Sequence, residues 1–124
     1  MPPEYRDDAA YLHDMARYGR IVLDLCKGRS RPDTDLVFRL AVERALHNLC
    51  EAARKVSRAF EAEHPEINWK GIVAQRHVLV HEYGDLDYDK IWRVLTVHVP
   101  QLVIQLEPLV PPAPPDPEPT DPAV

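Results

Sequence analysis

Side chains that could bind a phosphate and move the proton beside it are concentrated in one short segment. This segment is Arg76-His77-Val78-Leu79-Val80-His81-Glu82-Tyr83. Arginine is a permanent cation with forked donors, and histidine exchanges protons near neutral pH. Tyrosine has a hydroxyl that can donate, accept or be modified. Because the segment stands at the end of a predicted helix, its chemistry depends on where that helix ends.

Helix geometry alone does not bring the arginine and the second histidine together. Arg76 and His81 are five residues apart and lie about 140° apart around an ideal helix. They can converge if the helix ends at His81, and Gly84-Asp85 permits a turn there. A cation is also favoured near a helix C-terminus. Such a site would raise the proton affinity of His81 and suit a general acid.

Structural interpretations of the same residues stay open. Arg76 could pair with an acid, and the candidates are Asp85, Asp87 and Glu51. Tyr83 could be a core or dimer-contact aromatic. His77 and His81 have the i, i+4 spacing of a helical metal pair, but no cysteine or suitably spaced third histidine completes a site. The sequence therefore predicts neither a metal site nor a cofactor.

The composition fits one domain with one modest core. The net charge is −5, but all 15 Lys and Arg and 16 of the 20 Asp and Glu lie before residue 107, so this part carries only −1. A near-neutral body does not exclude a nucleic-acid partner. Two basic runs could be solvated helix faces or phosphate-contacting surfaces. They are Arg17, Arg20, Lys27, Arg29 and Arg31, then Arg39, Arg44, Arg54, Lys55 and Arg58.

The expected compartment follows from features that the sequence lacks. No run of about 18 apolar residues is present, so no membrane span is expected. The N-terminal residues do not resemble a signal peptide. We therefore expect a cytoplasmic protein with Cys26 and Cys50 as reduced thiols that serve as small core residues.

Hydrophobic spacing predicts an all-α bundle with short connections. A first helix carries the stripe Tyr11, Met15, Tyr18, Val22 and Leu25 and stops at Gly28. A second helix, capped by Asp33, runs to about Ala62 and carries Phe38, Val42, Ala45, Leu49, Ala52, Val56 and Phe60. Asn68 caps a third helix, and a fourth begins near Tyr88 and is kinked or split by Pro100. Trp69 and Trp92 are predicted core anchors.

The C-terminal end differs in composition from the rest of the chain. Eight of the 13 prolines lie from Pro108 onward, together with acids and few large apolar residues. Proline disrupts both helices and sheets. We expect a helical domain over residues 1–109 and a disordered, Pro-rich tail over 110–124.

Ordered sequence blocks give this segment a family context. Arg76-x4-His81-x-Tyr83 resembles the signature of the HEPN superfamily and its HepT-like branch. The further matching blocks are Pro65-Glu66-Ile67-Asn68-Trp69, Asp85-Leu86-Asp87 with Trp92, Pro100-Gln101-Leu102 and Glu51-Ala52-Ala53. The resemblance covers roughly residues 6–109. It implies a HEPN-type up-and-down bundle of four to five helices.

The resemblance also implies a function. HepT-like proteins are toxins of toxin–antitoxin modules that act as metal-independent endoribonucleases, and as homodimers with motifs from both subunits facing one cleft. Arg76 and His81 would then be catalytic, with His77 and Glu51 shaping the site. The antitoxin would be an MNT-type nucleotidyltransferase that transfers AMP from ATP to Tyr83.

Two positions depart from the family pattern. Many relatives have Asn where this chain has His77, and a Gly where it has Cys50. The second change fits altered packing, whereas the first lies within the site. The alternative function is therefore a non-catalytic HEPN partner or scaffold for a nucleotidyltransferase, and a plain interaction bundle is the third interpretation.

Overall fold

A computed structural model describes residues 3–30, 35–81 and 88–112, except for the side chains of 3–7, 76–81 and 88. The helices are α1 (Pro3–Cys26), α2 (Leu36–Lys55), α3 (Arg58–Glu63), α4 (Trp69–His81), α5 (Tyr88–Arg93) and α6 (Val99–Leu106), and a π-helical turn spans Val94–His98. No strand occurs among these described residues, so the prediction of an all-α bundle is confirmed.

The first helix has the predicted buried stripe and the predicted end. Met15 and Val22 are fully buried, and the other stripe residues are partly buried. α1 ends at Cys26, and Gly28 adopts φ +74° just beyond it. This left-handed conformation suits glycine because no Cβ meets the backbone. Gly28 therefore ends α1 as the sequence predicts.

The cap of the second helix is not the predicted one. α2 begins at Leu36, and the side chain of Asp35 accepts a hydrogen bond from the Phe38 N–H at 2.8 Å. Asp33, the predicted cap, lies outside the described residues and two positions before the observed one. Aspartate is a preferred N-cap residue, so both positions fit the sequence rule for a cap. Asp35 is the one that directly precedes the first helical residue.

The second helix is also shorter than predicted. It ends at Lys55 instead of near Ala62, because Val56 and Ser57 are extended and Ser57 caps α3 by accepting from the Phe60 N–H at 3.2 Å. Asp8 of α1 stabilises this break between α2 and α3. Its carboxylate accepts from the Ser57 N–H at 2.7 Å and from the Ser57 hydroxyl at 2.6 Å.

The turn from α3 into α4 is fixed by aromatic and polar contacts. Phe60 stacks on His64 with ring centroids 4.4 Å apart and meets Trp69 edge-on at 6.0 Å. The Trp69 indole N–H donates to the His64 carbonyl oxygen at 2.9 Å. Trp69 is buried, so its predicted role as a core anchor is confirmed.

A π-helical turn accommodates Pro100 in the last helical stretch. Arg93 and Val99, which flank this turn, are both right-handed helical, so α5 continues into α6. The Val99 N–H donates to the Val94 carbonyl five residues earlier. A wider turn of this kind accommodates a proline, which lacks an N–H and crowds the preceding carbonyl. The interruption predicted at Pro100 is therefore a π turn.

The core consists of two clusters at opposite ends of the bundle. The Trp69 cluster contains Leu12, Met15, Leu49, Cys50, Ala52, Ala53, Val56, Ile67, Trp69, Leu102 and Leu106. The Phe38 cluster contains Val22, Phe38, Val42, Ala45, Leu46, Leu95, Val99 and Val103. The start of α1 thus packs on the end of α2, and the end of α1 packs on the start of α2. The same pattern relates α1 to α6, which establishes the up-and-down arrangement.

One glycine sets the spacing between α1 and α6. Gly19 is buried, and a Cβ built on it would lie 2.7 Å from a methyl group of Val103. Real Cβ atoms essentially never approach a neighbour that closely. At this position the backbone of α1 therefore packs directly on a side chain of α6, which leaves no room for a residue larger than glycine.

The remaining predictions concern cysteines and ends of the chain. Cys50 is buried, Cys26 is half-buried, and both are free thiols. Burial raises the pKa of the Cys26 thiol, although nearby Arg29 opposes this.

Leu109 and Val110 pack against the Trp69 cluster, whereas residues 113–124 lie outside the described part. None of the described helices is long and apolar enough to cross a bilayer.

We expect Asp8→Ala to lower the free energy of unfolding by about 3 kcal/mol, because two donors of Ser57 lose a charged acceptor. Urea denaturation followed by circular dichroism measures this change. Asp24→Ala is the control, since Asp24 is an exposed carboxylate on the same helix and should change stability by less than about 0.5 kcal/mol. Equal effects of the two substitutions would contradict a structural role for Asp8.

Candidate functional site

The helix that carries the candidate motif starts at the predicted cap. The Asn68 side-chain oxygen accepts from the Gly71 N–H at 3.1 Å. A Cβ at Gly71 would collide with the Asn68 side chain, so glycine leaves room for this cap. The N-cap hydrogen bond satisfies a backbone donor that has no partner within the helix. It fixes the first turn of α4.

The register of α4 places the motif arginine relative to the core. Arg76 follows Trp69 by seven residues, so their Cα atoms lie about 20° apart around the helix. Trp69 and Ile72 contact the Trp69 cluster, and α4 packs against α2. The backbone of Arg76 therefore lies on the side of α4 that carries its core contacts.

The predicted catalytic residues fall at the limit of what the structure describes. Arg76, His77 and His81 belong to α4, and His81 is its last residue. Their side chains lie outside the described part. Tyr83 lies outside it altogether, as do Asp85 and Asp87. The convergence of these side chains therefore stays a prediction.

Glu51, the predicted site-shaping acid, is described in full. It is half-buried on α2, and its Oε1 accepts from Arg54 Nη2 at 2.7 Å and from Arg54 Nε at 3.2 Å. This contact and the Glu51 charge raise the pKa of the exposed Arg54 guanidinium. Glu51 thus holds the arginine that faces the start of α4.

A basic depression lies between α2, α3 and α4. Its cations are Arg54, Arg58 and Lys70, its acid is Glu61, and its apolar floor is formed by Val56, Trp69 and Val73 together with Ala74. Because the chain turns at Ser57, Arg58 lines the same depression as Lys70. Within the described residues, Arg58 and Lys70 have no ion-pair partner. One of the two basic runs in the sequence thus contributes to a concave, positively charged surface beside the motif helix.

A separate cavity of about 230 Å³ lies between α2, α4 and the π turn. Its walls include Leu49, Ile72 and Leu102, and polar groups of Asn68, Gln75 and His98 line it as well. We call it the Gln75 cavity. Gln75 directly precedes Arg76 in the chain, so the cavity adjoins the motif. Cys50, which replaces the glycine of many relatives, also lines it.

Sequence reasoning missed several residues beside the motif. Gln75 and His98 carry no motif signal, and only the fold brings them to one cavity. Lys70 was not part of either basic run, yet it faces Arg58. Among the described residues, no group of three His, Cys, Asp or Glu side chains is arranged to hold a metal ion.

Comparison with known proteins identifies one family. The HepT-like family model, described as Ribonuclease HepT-like, matches residues 13–109. A Methanocaldococcus jannaschii protein named as a candidate RNase is 30% identical over 104 residues, which cover 82% of this chain and 95% of the relative.

Two further relatives come from other organisms. A Caldanaerobacter subterraneus protein, also named as a candidate RNase, is 29% identical over 78% of this chain and 88% of its own length. A Thermococcus cleftensis protein named a probable ribonuclease HepT is 28% identical over 84% of this chain and 96% of its own length. No solved structure matches the chain significantly.

Proposed function

Because this chain belongs to the Ribonuclease HepT-like family, we propose that it is a metal-independent endoribonuclease and the toxin of a toxin–antitoxin module. The observation that carries the proposal is the position of its motif. Arg76 and His81 lie on one helix that is capped by Asn68 and anchored by Trp69. The family match covers this helix completely.

The motif supplies the groups that metal-free RNA cleavage needs. His81 takes the proton of a 2′-hydroxyl, and the 2′-oxygen attacks the adjacent phosphorus. Arg76 stabilises the charge that develops on the phosphorane oxygens. A protonated His81 returns a proton to the departing 5′-oxygen, which leaves a cyclic phosphate and a 5′-hydroxyl. In a homodimer, the second copy would supply the second histidine.

We expect Arg76→Ala and His81→Ala each to reduce RNA cleavage by at least about 100-fold, as loss of general acid–base or transition-state charge stabilisation does. Purified proteins are incubated with total RNA without divalent cations and with chelator. Arg93→Ala and His47→Ala are the matched controls, because Arg93 is exposed and His47 half-buried outside the motif helix. Undiminished cleavage by His81→Ala would remove His81 from the mechanism.

The basic depression extends the proposed site toward the RNA backbone. Arg58 and Lys70 are exposed and lie near Val73, one turn before Arg76. A strand whose phosphate is held at Arg76 can continue along α4 toward these cations. Their contacts would be insensitive to sequence and sensitive to salt.

We expect the double substitution Arg58→Glu and Lys70→Glu to weaken binding of single-stranded RNA by at least about tenfold at low salt and to reduce the slope of log affinity against log salt by about 1–2. Filter binding with 2′-O-methyl RNA, which lacks the nucleophile, separates binding from cleavage. Arg20→Glu with Lys27→Glu changes the charge equally at two exposed positions, one on α1 and one just after it. An equal loss in both double variants would show a long-range charge effect instead of contacts in the depression.

The control of this activity is proposed to come from an MNT-type nucleotidyltransferase antitoxin in the same cytoplasm. Transfer of AMP from ATP to the Tyr83 hydroxyl forms a phosphodiester and releases pyrophosphate. The added phosphate and bulk would stand beside Arg76 and His81. RNA would then be excluded by like charge and by volume.

We expect co-expression with the antitoxin to add one or more AMP units to the protein, as measured by intact mass spectrometry. Tyr83→Phe should gain none, because it lacks the acceptor hydroxyl, and Tyr88→Phe should still be modified. An AMP gain on wild-type protein whose unmodified form, purified without the antitoxin, cleaves no RNA would instead support the scaffold function. His77, in the position where many relatives have asparagine, is the feature that favours this second candidate.

A further inference from the structure

The Gln75 cavity has the size of a site for a small planar group. Its volume is about 230 Å³, below the range of about 300–1,000 Å³ typical of pockets for drug-sized ligands. The walls from Leu49, Ile72 and Leu102 are apolar and come from three different helices. A flat ring could bury its faces against such walls, whereas a charged phosphate would meet no Lys or Arg among the described residues that line the cavity.

The polar groups of the cavity are suited to the edge of a ring. Asn68 accepts from Gly71 through Oδ1, so its Nδ2 group is left as a donor. The Gln75 amide offers both a donor and an acceptor, and the His98 imidazole offers one of each when neutral. Nucleobases are recognised by hydrogen bonds to their edges and by contacts with their faces. The cavity combines both kinds of contact.

The cavity also adjoins the helix that carries the motif. Gln75 is the chain neighbour of Arg76, and a base is joined to the phosphate that Arg76 is proposed to hold. Val94 and His98, the first and last residues of the π turn, both line the cavity. Single π turns within α-helices frequently occur at functional sites. The cavity thus lies between the motif helix and the π turn.

We propose that the Gln75 cavity binds one nucleobase of the RNA strand next to the scissile phosphate and makes cleavage base-selective. This inference rests on the proposed ribonuclease function and adds to it a specificity residue, Gln75, with Asn68 and His98 as further contacts. The base is held as part of the strand, so the ribose and phosphate outside the cavity contribute to its affinity.

The test compares wild-type protein with Gln75→Leu, which keeps the side-chain size and removes the amide. Gln101→Leu is the matched control, because Gln101 is exposed on α6 and does not line the cavity. Cleavage of a randomised RNA pool, read by sequencing of the cut ends, gives the base preference. Binding of 2′-O-methyl trinucleotides with each base at the central position, and of the four nucleoside monophosphates, is measured by NMR titration.

We expect wild-type protein and Gln101→Leu to prefer one base by about tenfold in both assays, and Gln75→Leu to lose most of this preference, since one hydrogen bond accounts for a factor of this order. Trinucleotides should bind more tightly than monophosphates. Efficient cleavage by wild-type protein without base preference would overturn the inference and leave the ribonuclease intact.

Other outcomes separate the two proposals further. Base-selective trinucleotide binding without any cleavage would contradict the ribonuclease function and support the cavity as a base site. Binding of monophosphates as tightly as trinucleotides would identify a free-nucleotide site and contradict the inference. Thermal unfolding of Gln75→Leu checks that a lost preference does not reflect unfolding.

Discussion

The arrangement of α4 depends on one buried carboxylate. Asp8 is 6% exposed and binds both the N–H and the hydroxyl of Ser57, 49 residues away in the chain. These hydrogen bonds stabilise two extended residues where a hydrophobic stripe would otherwise continue α2. The chain therefore turns into α3, and Trp69 enters the core beside Val56. Without this turn, α4 could not return along α2 with Arg76 on its core-contacting side.

The Trp69 cluster anchors the first half of the motif helix. The start of α4 is held by the Asn68 cap, the Trp69 indole hydrogen bond and the apolar contacts of Ile72. Substrate contacts would then concentrate on the second half of the helix, from Gln75 to His81. Groups that act on phosphate need fixed positions, and the anchored first half of α4 sets the position of the half that follows it.

Much of the fold followed from local sequence signals, whereas its long-range contacts did not. Hydrophobic spacing predicted the helices. Gly28 predicted the end of α1, and Asn68 predicted the start of α4. The break at Ser57 was missed because Val56 and Phe60 continue the stripe of α2, and because its stabilising partner is distant in sequence. For the site, the motif spacing predicts Arg76 and His81, and their catalytic role stays a prediction. Gln75 and Lys70 were missed, since a lone glutamine and a lone lysine carry no signal until the fold assembles their neighbours.

The local distribution of charge on this protein differs from what its net charge suggests. The chain is acidic overall, and its body before residue 107 is close to neutral. The fold nevertheless gathers Arg54, Arg58 and Lys70 around one depression, where Glu61 is the acid among the described lining residues and Glu51 pairs with Arg54. Coulomb interactions with phosphates are screened over about 10 Å at ordinary ionic strength. A strand on α4 would therefore respond to these cations and to Arg76 far more than to acids elsewhere on the surface, so the local arrangement of charge outweighs the total.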